Sequence, residues 1–178
     1  MQHEHVIRSM AQTVSTDEAH QIFGLIEHTR KVGRAAVDSH LLCPRHYMHN
    51  TYTDQGTTIL DHVTGLMWQQ SGSDTYMNYD DAQRYLERLQ REQFAGYADW
   101  RMPTVPELMS LLEPTQNTTN LFIDPLFDAT QTGCWSADRV PKHESSSAAW
   151  YVLFSSGSVS WIEDSYFYYV RAVRVIKE

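Results

Sequence analysis

The run Ala149 to Phe154 constrains the fold more than any other stretch. Trp150, Val152 and Phe154 alternate with Tyr151, Leu153 and Ser155. Successive side chains of a strand point to opposite faces. Both registers are apolar here, so the segment reads as a central strand covered on two sides. Ser156-Gly157 gives a hairpin turn, Val159 to Ile162 a returning strand, and Tyr168 to Ile176 a last strand.

The stretch beyond this strand, Ser155 to Arg174, is dense in Tyr, Ser and Trp. Tyr and Trp give large contact area for little conformational entropy, and Ser and Gly give adaptable hydrogen bonding. We therefore expect a recognition surface held out by a scaffold. Its ligand-binding candidates are Ser156, Ser158, Ser160, Trp161, Glu163, Asp164, Tyr166, Phe167 and Tyr168, with Trp161, Tyr166 and Tyr168 as anchors. Val170 to Arg174 is assigned to the scaffold. Arg171 and Arg174 point to opposite faces of a strand. One of them is expected to be buried on backbone carbonyls, a structural role rather than a ligand contact.

Upstream, residues 1–14 show no period and read as a loose end. Ser15 and Thr16 precede Asp17 and Glu18, a helix start with acids at the positive end of the dipole. Ala19, Ile22, Phe23 and Ile26 share one face, and Gly33 is the expected stop. This helix either packs on the domain or pairs with another copy of itself. Residues 34–56 look irregular. Thr57 to Leu60 and Leu66 to Gln69 read as short strands around the turn Asp61 to Gly65.

Asn78 caps a helix that holds Asp80 and Asp81 in its first turn and carries the stripe Ala82, Tyr85, Leu86 and Leu89. It should end near Phe94. Thr104 and Glu107 have the spacing of a capping box, and Pro106 is tolerated in the first turn. Val105, Leu108, Met109, Leu111 and Leu112 bury one side of this second helix, which Pro114 ends. Leu121 to Phe127 reads as an irregular apolar segment against the core. Cys134 to Ser136 reads as a short strand, and Asp138 to Ser147 as a loop.

Charge narrows the partners. The net charge is −8, and residues 51–178 carry all of it, with nine basic and seventeen acidic side chains. Nucleic acid and sulfated glycans call for a basic patch, so an acidic domain is a poor candidate for either. No apolar run is long enough for a membrane span. MQHEHVIRSM lacks the charged-then-apolar pattern of a signal peptide, so the expected location is the cytoplasm unless export uses another route. Cys43 and Cys134 are too few for a disulfide scaffold or a zinc cluster. They read as two buried thiols, with a single bridge as the alternative in an exported protein.

No enzyme reading survives the motifs. The sequence has no G-x-S-x-G, no glycine-rich phosphate loop and no H-E-x-x-H. Cys134 would need a base to act as a nucleophile, and His143 lies nine residues away in sequence. His46 and His49 sit three apart with no carboxylate or Cys completing a ligand set. Glu163 and Asp164 would form a glycosidase-like pair only across a cleft. Neither a cofactor nor a metal is expected.

Several stretches together resemble one family. They are Tyr52-Thr53-Asp54 with Gly56, Asp61 with Thr64 to Trp68, Gly96 to Thr104 with Glu107-Leu108, Trp135-Ser136, Ala149 to Val152 with Phe154 and Gly157, and Tyr169 to Arg174. Taken in order they resemble the bacterial domain of unknown function at the C-terminus of collagen-like adhesins, the Lcl C-terminal domain, over about residues 51–176. The resemblance implies an α+β, C-type-lectin-like fold of two helices and short antiparallel strands, here with an N-terminal helical extension over residues 1–50. It implies binding of a protein or glycan rather than catalysis.

The calcium-dependent sugar site of true C-type lectins uses Glu-Pro-Asn and Trp-Asn-Asp. Here Glu113-Pro114 is followed by Thr115, and Trp135 by Ser136-Ala137-Asp138, so that site is not carried over. The related formylglycine-generating activity needs two closely spaced C-terminal cysteines, and only Cys134 lies in this half. Some proteins of this fold are variable proteins of diversity-generating retroelements, in which randomised adenines scatter Asn codons. Ser155, Ser156, Ser158, Ser160, Ile162, Asp164, Ser165, Tyr166, Phe167 and Tyr168 are all reachable from Asn codons in this way, and Trp161 and Glu163 from Lys codons.

Overall fold

A computed structural model describes residues 7–27, 42–143 and 146–176 of the chain. Its central feature is an antiparallel five-stranded sheet. The strands are β1 (Leu25–Glu27), β2 (Leu42–Pro44), β6 (Gly133–His143), β7 (Ser146–Leu153) and β8 (Ser158–Glu163), in the order β1-β2-β8-β7-β6. A second antiparallel sheet has the order β3-β4-β5-β9, from β3 (Tyr52–Asp54), β4 (Thr58–Asp61), β5 (Leu66–Gln69) and β9 (Val173–Val175). The described residues also form the α-helices α1 (Thr16–Ile22), α2 (Tyr79–Arg91) and α3 (Val105–Ser110). The architecture is α+β, as expected, and among the described residues no helix is long and apolar enough to cross a membrane.

The two apolar registers of β7 separate two cores. Ala148, Trp150 and Val152 belong to one core, with Phe23, Leu42, Val105 and Leu108. Ala149 and Tyr151 belong to the other, with Trp135 and the α2 stripe of Ala82, Tyr85, Leu86 and Leu89. β7 is therefore covered on both faces, and its period of two explains why it reads as continuously apolar.

Local signals set the helix starts. Asn78 accepts from the Asp81 amide at 2.8 Å, and Thr104 and Glu107 satisfy each other's backbone amides in a capping box. Ser15 and Glu18 do the same for α1. The expected extent of α1 is wrong, however. The helix stops at Phe23, Gly24 takes a φ of +62°, and Leu25 to Glu27 turn into an edge strand. Ile22 and Ile26, expected on a buried stripe, are exposed. The rest of that expected helix, residues 28–33, lies outside the described residues.

Four more expectations are corrected. Residues 34–56 contain β2 and β3 rather than irregular chain alone. Of the loop expected over Asp138 to Ser147, Asp138 to His143 belong to β6 and Ser146-Ser147 to β7, with bulges absorbing the alternation, and residues 144–145 lie outside the described residues. The last strand is only Val173 to Val175, and it joins the other sheet by pairing with β5. Residues 7–14 are not loose. The Val14 amide donates to the Arg139 carbonyl at 2.8 Å, and the Arg139 amide donates to that of Gln12 at 2.8 Å. The indole of Trp150 donates to the Val14 carbonyl at 2.9 Å.

These contacts close the outer edge of β6. Tyr169 covers its start, the Pro103 carbonyl accepts from Ala137 at 2.7 Å, and residues 12–14 cover Arg139. An open edge would invite pairing with another chain. The covering segment is anchored by charge. Both carboxylate oxygens of buried Asp138 accept from Arg8 at 2.8 Å, and Asp138 also accepts from the amides of Gln12 and Val105. Buried Glu107 takes two bonds from Arg101, at 2.8 and 2.6 Å, and one from the Ser9 hydroxyl. Residues on both sides of position 50 thus share one core and one network.

Candidate functional site

The residues singled out in the sequence lie on both faces of the five-stranded sheet. Directly paired residues share a face. Trp161 pairs with Trp150, and Glu163 with Ala148, both on the face of the first core. Ser160 pairs with Tyr151, and Ser158 with Leu153, on the face of the second. The nine candidates therefore do not form one patch. Ser158 and Ser160 are buried, and Ser156 is half-buried with its hydroxyl 2.6 Å from that of Ser158. Gly157 between them has a φ of +66°, and an added Cβ would meet the Phe122 ring at 3.0 Å, so the turn requires glycine.

Beyond β8 the chain turns, with the Tyr166 amide donating to the Glu163 carbonyl at 3.1 Å. It then runs beside residues 76–78 as a short ribbon. Met77 and Tyr168 exchange both backbone bonds, at 2.9 and 3.1 Å. The Tyr79 amide donates to the Asp164 carbonyl at 3.0 Å and ties the ribbon to the start of α2. Three large aromatic side chains on this ribbon stand more than half out of the protein: Tyr76 at 55%, Tyr166 at 53% and Phe167 at 59%. Trp161, at 41%, is exposed on the other face.

Tyr168 is a supporting member. Its ring stacks on Tyr151 at 4.2 Å and meets the edge of Trp135 at 5.2 Å. Burial and the Tyr151 hydroxyl push its phenol well above the ordinary value. Asp164 is half-buried and bound at 2.6 Å by Arg139, whose guanidinium lies 4.2 Å from the Tyr79 ring centroid. Burial pulls the Arg139 guanidinium down, but Asp164 and Tyr79 more than offset it. Glu163 is exposed.

Tyr76 is the member that sequence reasoning missed. It sits in a polar loop about ninety residues upstream, and the Met77–Tyr168 backbone pair brings it to the ribbon, where its ring lies 4.1 Å from that of Tyr169. Nothing local in the sequence reports that pairing. Away from the ribbon, a polar cleft of about 420 Å³ lies between Gln69 to Gly72 and the Tyr85, Arg88 and Glu92 side of α2.

The other groups weighed for chemistry are placed as follows. Cys134 is wholly buried, and burial pushes its thiol up to about 11. Cys134 forms no disulfide with Cys43, which is half-buried rather than buried as expected. Among the described residues, no group of three or more His, Cys, Asp or Glu side chains could hold a metal ion. Arg171 is fully buried and donates to the carbonyls of Gln69, Gln70 and Asp128 and to the Gln131 side chain. Arg174 is also buried, holding Asp99 at 2.6 Å and lying 3.8 Å from the Tyr97 ring centroid.

A family model described as the Lcl C-terminal domain matches residues 57–174. The chain belongs to the Lcl C-terminal domain family. No curated protein and no solved structure matches it. Membership suggests an adhesin-like or binding module. The Lcl span includes the whole exposed ribbon, from Tyr76 to Phe167, and Arg139, which holds its Asp164. It leaves out α1, β1, β2 and β3, although β2 pairs with β8 inside the Lcl span at Leu42 and Val159.

Proposed function

We propose that this protein is a non-enzymatic recognition module on a C-type-lectin-like scaffold, presenting the aromatic ribbon of Tyr76, Tyr166 and Phe167 to a ligand. The observation that carries this reading is the exposure of these three rings on a backbone fixed by paired hydrogen bonds. Aromatic side chains already ordered before binding lose little entropy on contact, which is how they become anchors. Tyr168, stacked on Tyr151, fixes the ribbon's base, and Tyr169 lies against the Tyr76 ring.

Retroelement diversification fits a subset of the positions reachable from Asn codons. Ser155, Ser165, Tyr166 and Phe167 are exposed and tolerate exchange, whereas Ser158 and Ser160 are packed. A near-copy of the codons for residues 145–174, differing only at adenines and lying beside a reverse transcriptase gene, would support this part of the reading. Absence of any such copy would count against it.

Binding itself is tested on arrays of immobilised proteins and of glycans, probed with the protein and with a Tyr166→Ala/Phe167→Ala variant. The expected result is a bound ligand that the variant loses while its unfolding curve stays unchanged. Retention of binding by the variant, or no ligand on either array, overturns the reading. A bound glycan would select the adhesin form of the proposal, and a bound protein the form favoured here.

A further inference from the structure

The ribbon's surroundings suggest the chemistry of its partner. Residues 51–178 carry nine basic and seventeen acidic side chains, and several of the described arginines are paired or buried, while Arg88 and Arg91 of α2 are exposed. Arg84, Arg101, Arg139 and Arg174 are held by Asp81, Glu107, Asp164 and Asp99. Arg171 is buried. Carboxylates outnumber what these arginines can pair, so the surplus is left at the surface.

Part of that surplus flanks the ribbon. Asp80 lies two residues after Asn78, and Glu163 three residues before Tyr166. Both are exposed, and neither makes an ion pair among the described residues. Arg139 is already taken up by Asp164 and the Tyr79 ring, and Arg84, one turn along α2 from Asp80, by Asp81. The exposed aromatic faces add to the same sign, because a ring face carries negative charge density that attracts Lys and Arg. Acidic rim and aromatic centre therefore select one charge type.

We propose that the ribbon docks a protein partner through a cationic segment, with Lys or Arg side chains lying on Tyr76, Tyr166 and Phe167 and their charges facing Asp80 and Glu163. This rests on the recognition reading above and adds the sign of the ligand. Sulfated glycans and nucleic acids meet the wrong potential. Partner electrostatics of this kind act chiefly on encounter rate and specificity.

The test uses three probes with the full chain: a ten-residue Arg/Gly peptide, the same peptide with Glu for each Arg, and a heparin oligosaccharide. The Arg peptide is expected to bind alone, with affinity falling as added salt shortens the screening length. Tyr76→Ala and Phe167→Ala should each weaken it roughly two- to fivefold, the scale of an exposed cation–aromatic contact. Glu163→Gln should weaken it too, whereas Glu87→Gln, on the solvent face of α2, should not. Equal losses for Glu163→Gln and Glu87→Gln would mean diffuse attraction and overturn the proposal. Binding of the Glu peptide or of heparin, or no binding by any probe, overturns it as well. If an array ligand is neutral or acidic and is lost by the Tyr166/Phe167 variant, the recognition reading stands and the cationic partner falls. If the Arg peptide binds and no ribbon variant weakens it, the cationic partner falls, and the recognition reading is decided by the array ligand and the Tyr166/Phe167 variant.

Discussion

Tyr168 lies flat on Tyr151, with ring centroids 4.2 Å apart and planes 20° from parallel. Tyr151 is buried in the second core, so the stack joins the interior of β7 to the base of the exposed ribbon. The ribbon's outer rings can then be altered without disturbing the scaffold, but its inner ring cannot. Tyr168→Ala should cost about 1–3 kcal/mol, below the range for a fully buried aromatic because the ring is only half-buried. Tyr166→Ala should cost less than about 0.5 kcal/mol. Urea unfolding of the two variants checks the contrast.

Arg171 replaces an ion pair with four acceptors, three of them backbone carbonyls. Lysine cannot present the guanidinium fork, so Arg171→Lys should leave buried acceptors unsatisfied and cost on the order of 2–4 kcal/mol. Arg171→Met should cost at least as much. The check is the denaturation midpoint, with near-ultraviolet circular dichroism to show whether the Trp68 and Trp135 surroundings survive.

Arg8 holds a buried carboxylate from a segment outside the family match. Arg8→Ala should destabilise by about 2–4 kcal/mol, since Asp138 loses its cation while staying buried; the figure sits at the low end for buried pairs because Arg8 is partly exposed. Deleting residues 1–14 should do more, because it also uncovers the Arg139 edge of β6 and the Trp150 indole. Size-exclusion chromatography should then show association through that edge. A monomer with unchanged stability would contradict the account of this segment.

Stability should fall in alkali. Burial raises the Tyr79, Tyr85 and Tyr168 phenols above 10.0 and the Cys134 thiol from 9.0 to about 11. Groups with raised folded values are neutral in both states below the unfolded value, so their contribution is intact there. As pH rises the unfolded chain ionises first and is favoured. Melting temperature should therefore drop from about pH 9 upward, and Cys134→Ala should lose the first part of that slope.

Much of the local structure was legible in the sequence, because caps and periods are local physics. Asn78, the Thr104–Glu107 box and the Ala82-Tyr85-Leu86-Leu89 stripe predicted α2 and α3, and Leu66 to Gln69 is β5. The two-faced character of β7 was also readable from its composition. Less legible were features set by pairing at long range. The covering role of residues 12–14 depends on Arg139, and the ribbon depends on Met77 meeting Tyr168. α1 was overextended because Ile26 kept the helical period while Gly24 ended the helix. At the candidate site the aromatic density was visible. Its division between two sheet faces was not, since that follows from the register of β8 on β7.

The central claim is that the exposed rings bind while the stacked ring supports them. Titration calorimetry of the array-identified ligand against Tyr166→Ala/Phe167→Ala, beside its urea midpoint, tests this most directly. The account predicts an affinity loss of at least about tenfold, the scale of a hot-spot pair, with an unmoved midpoint. Unchanged affinity in a fully folded variant would contradict it.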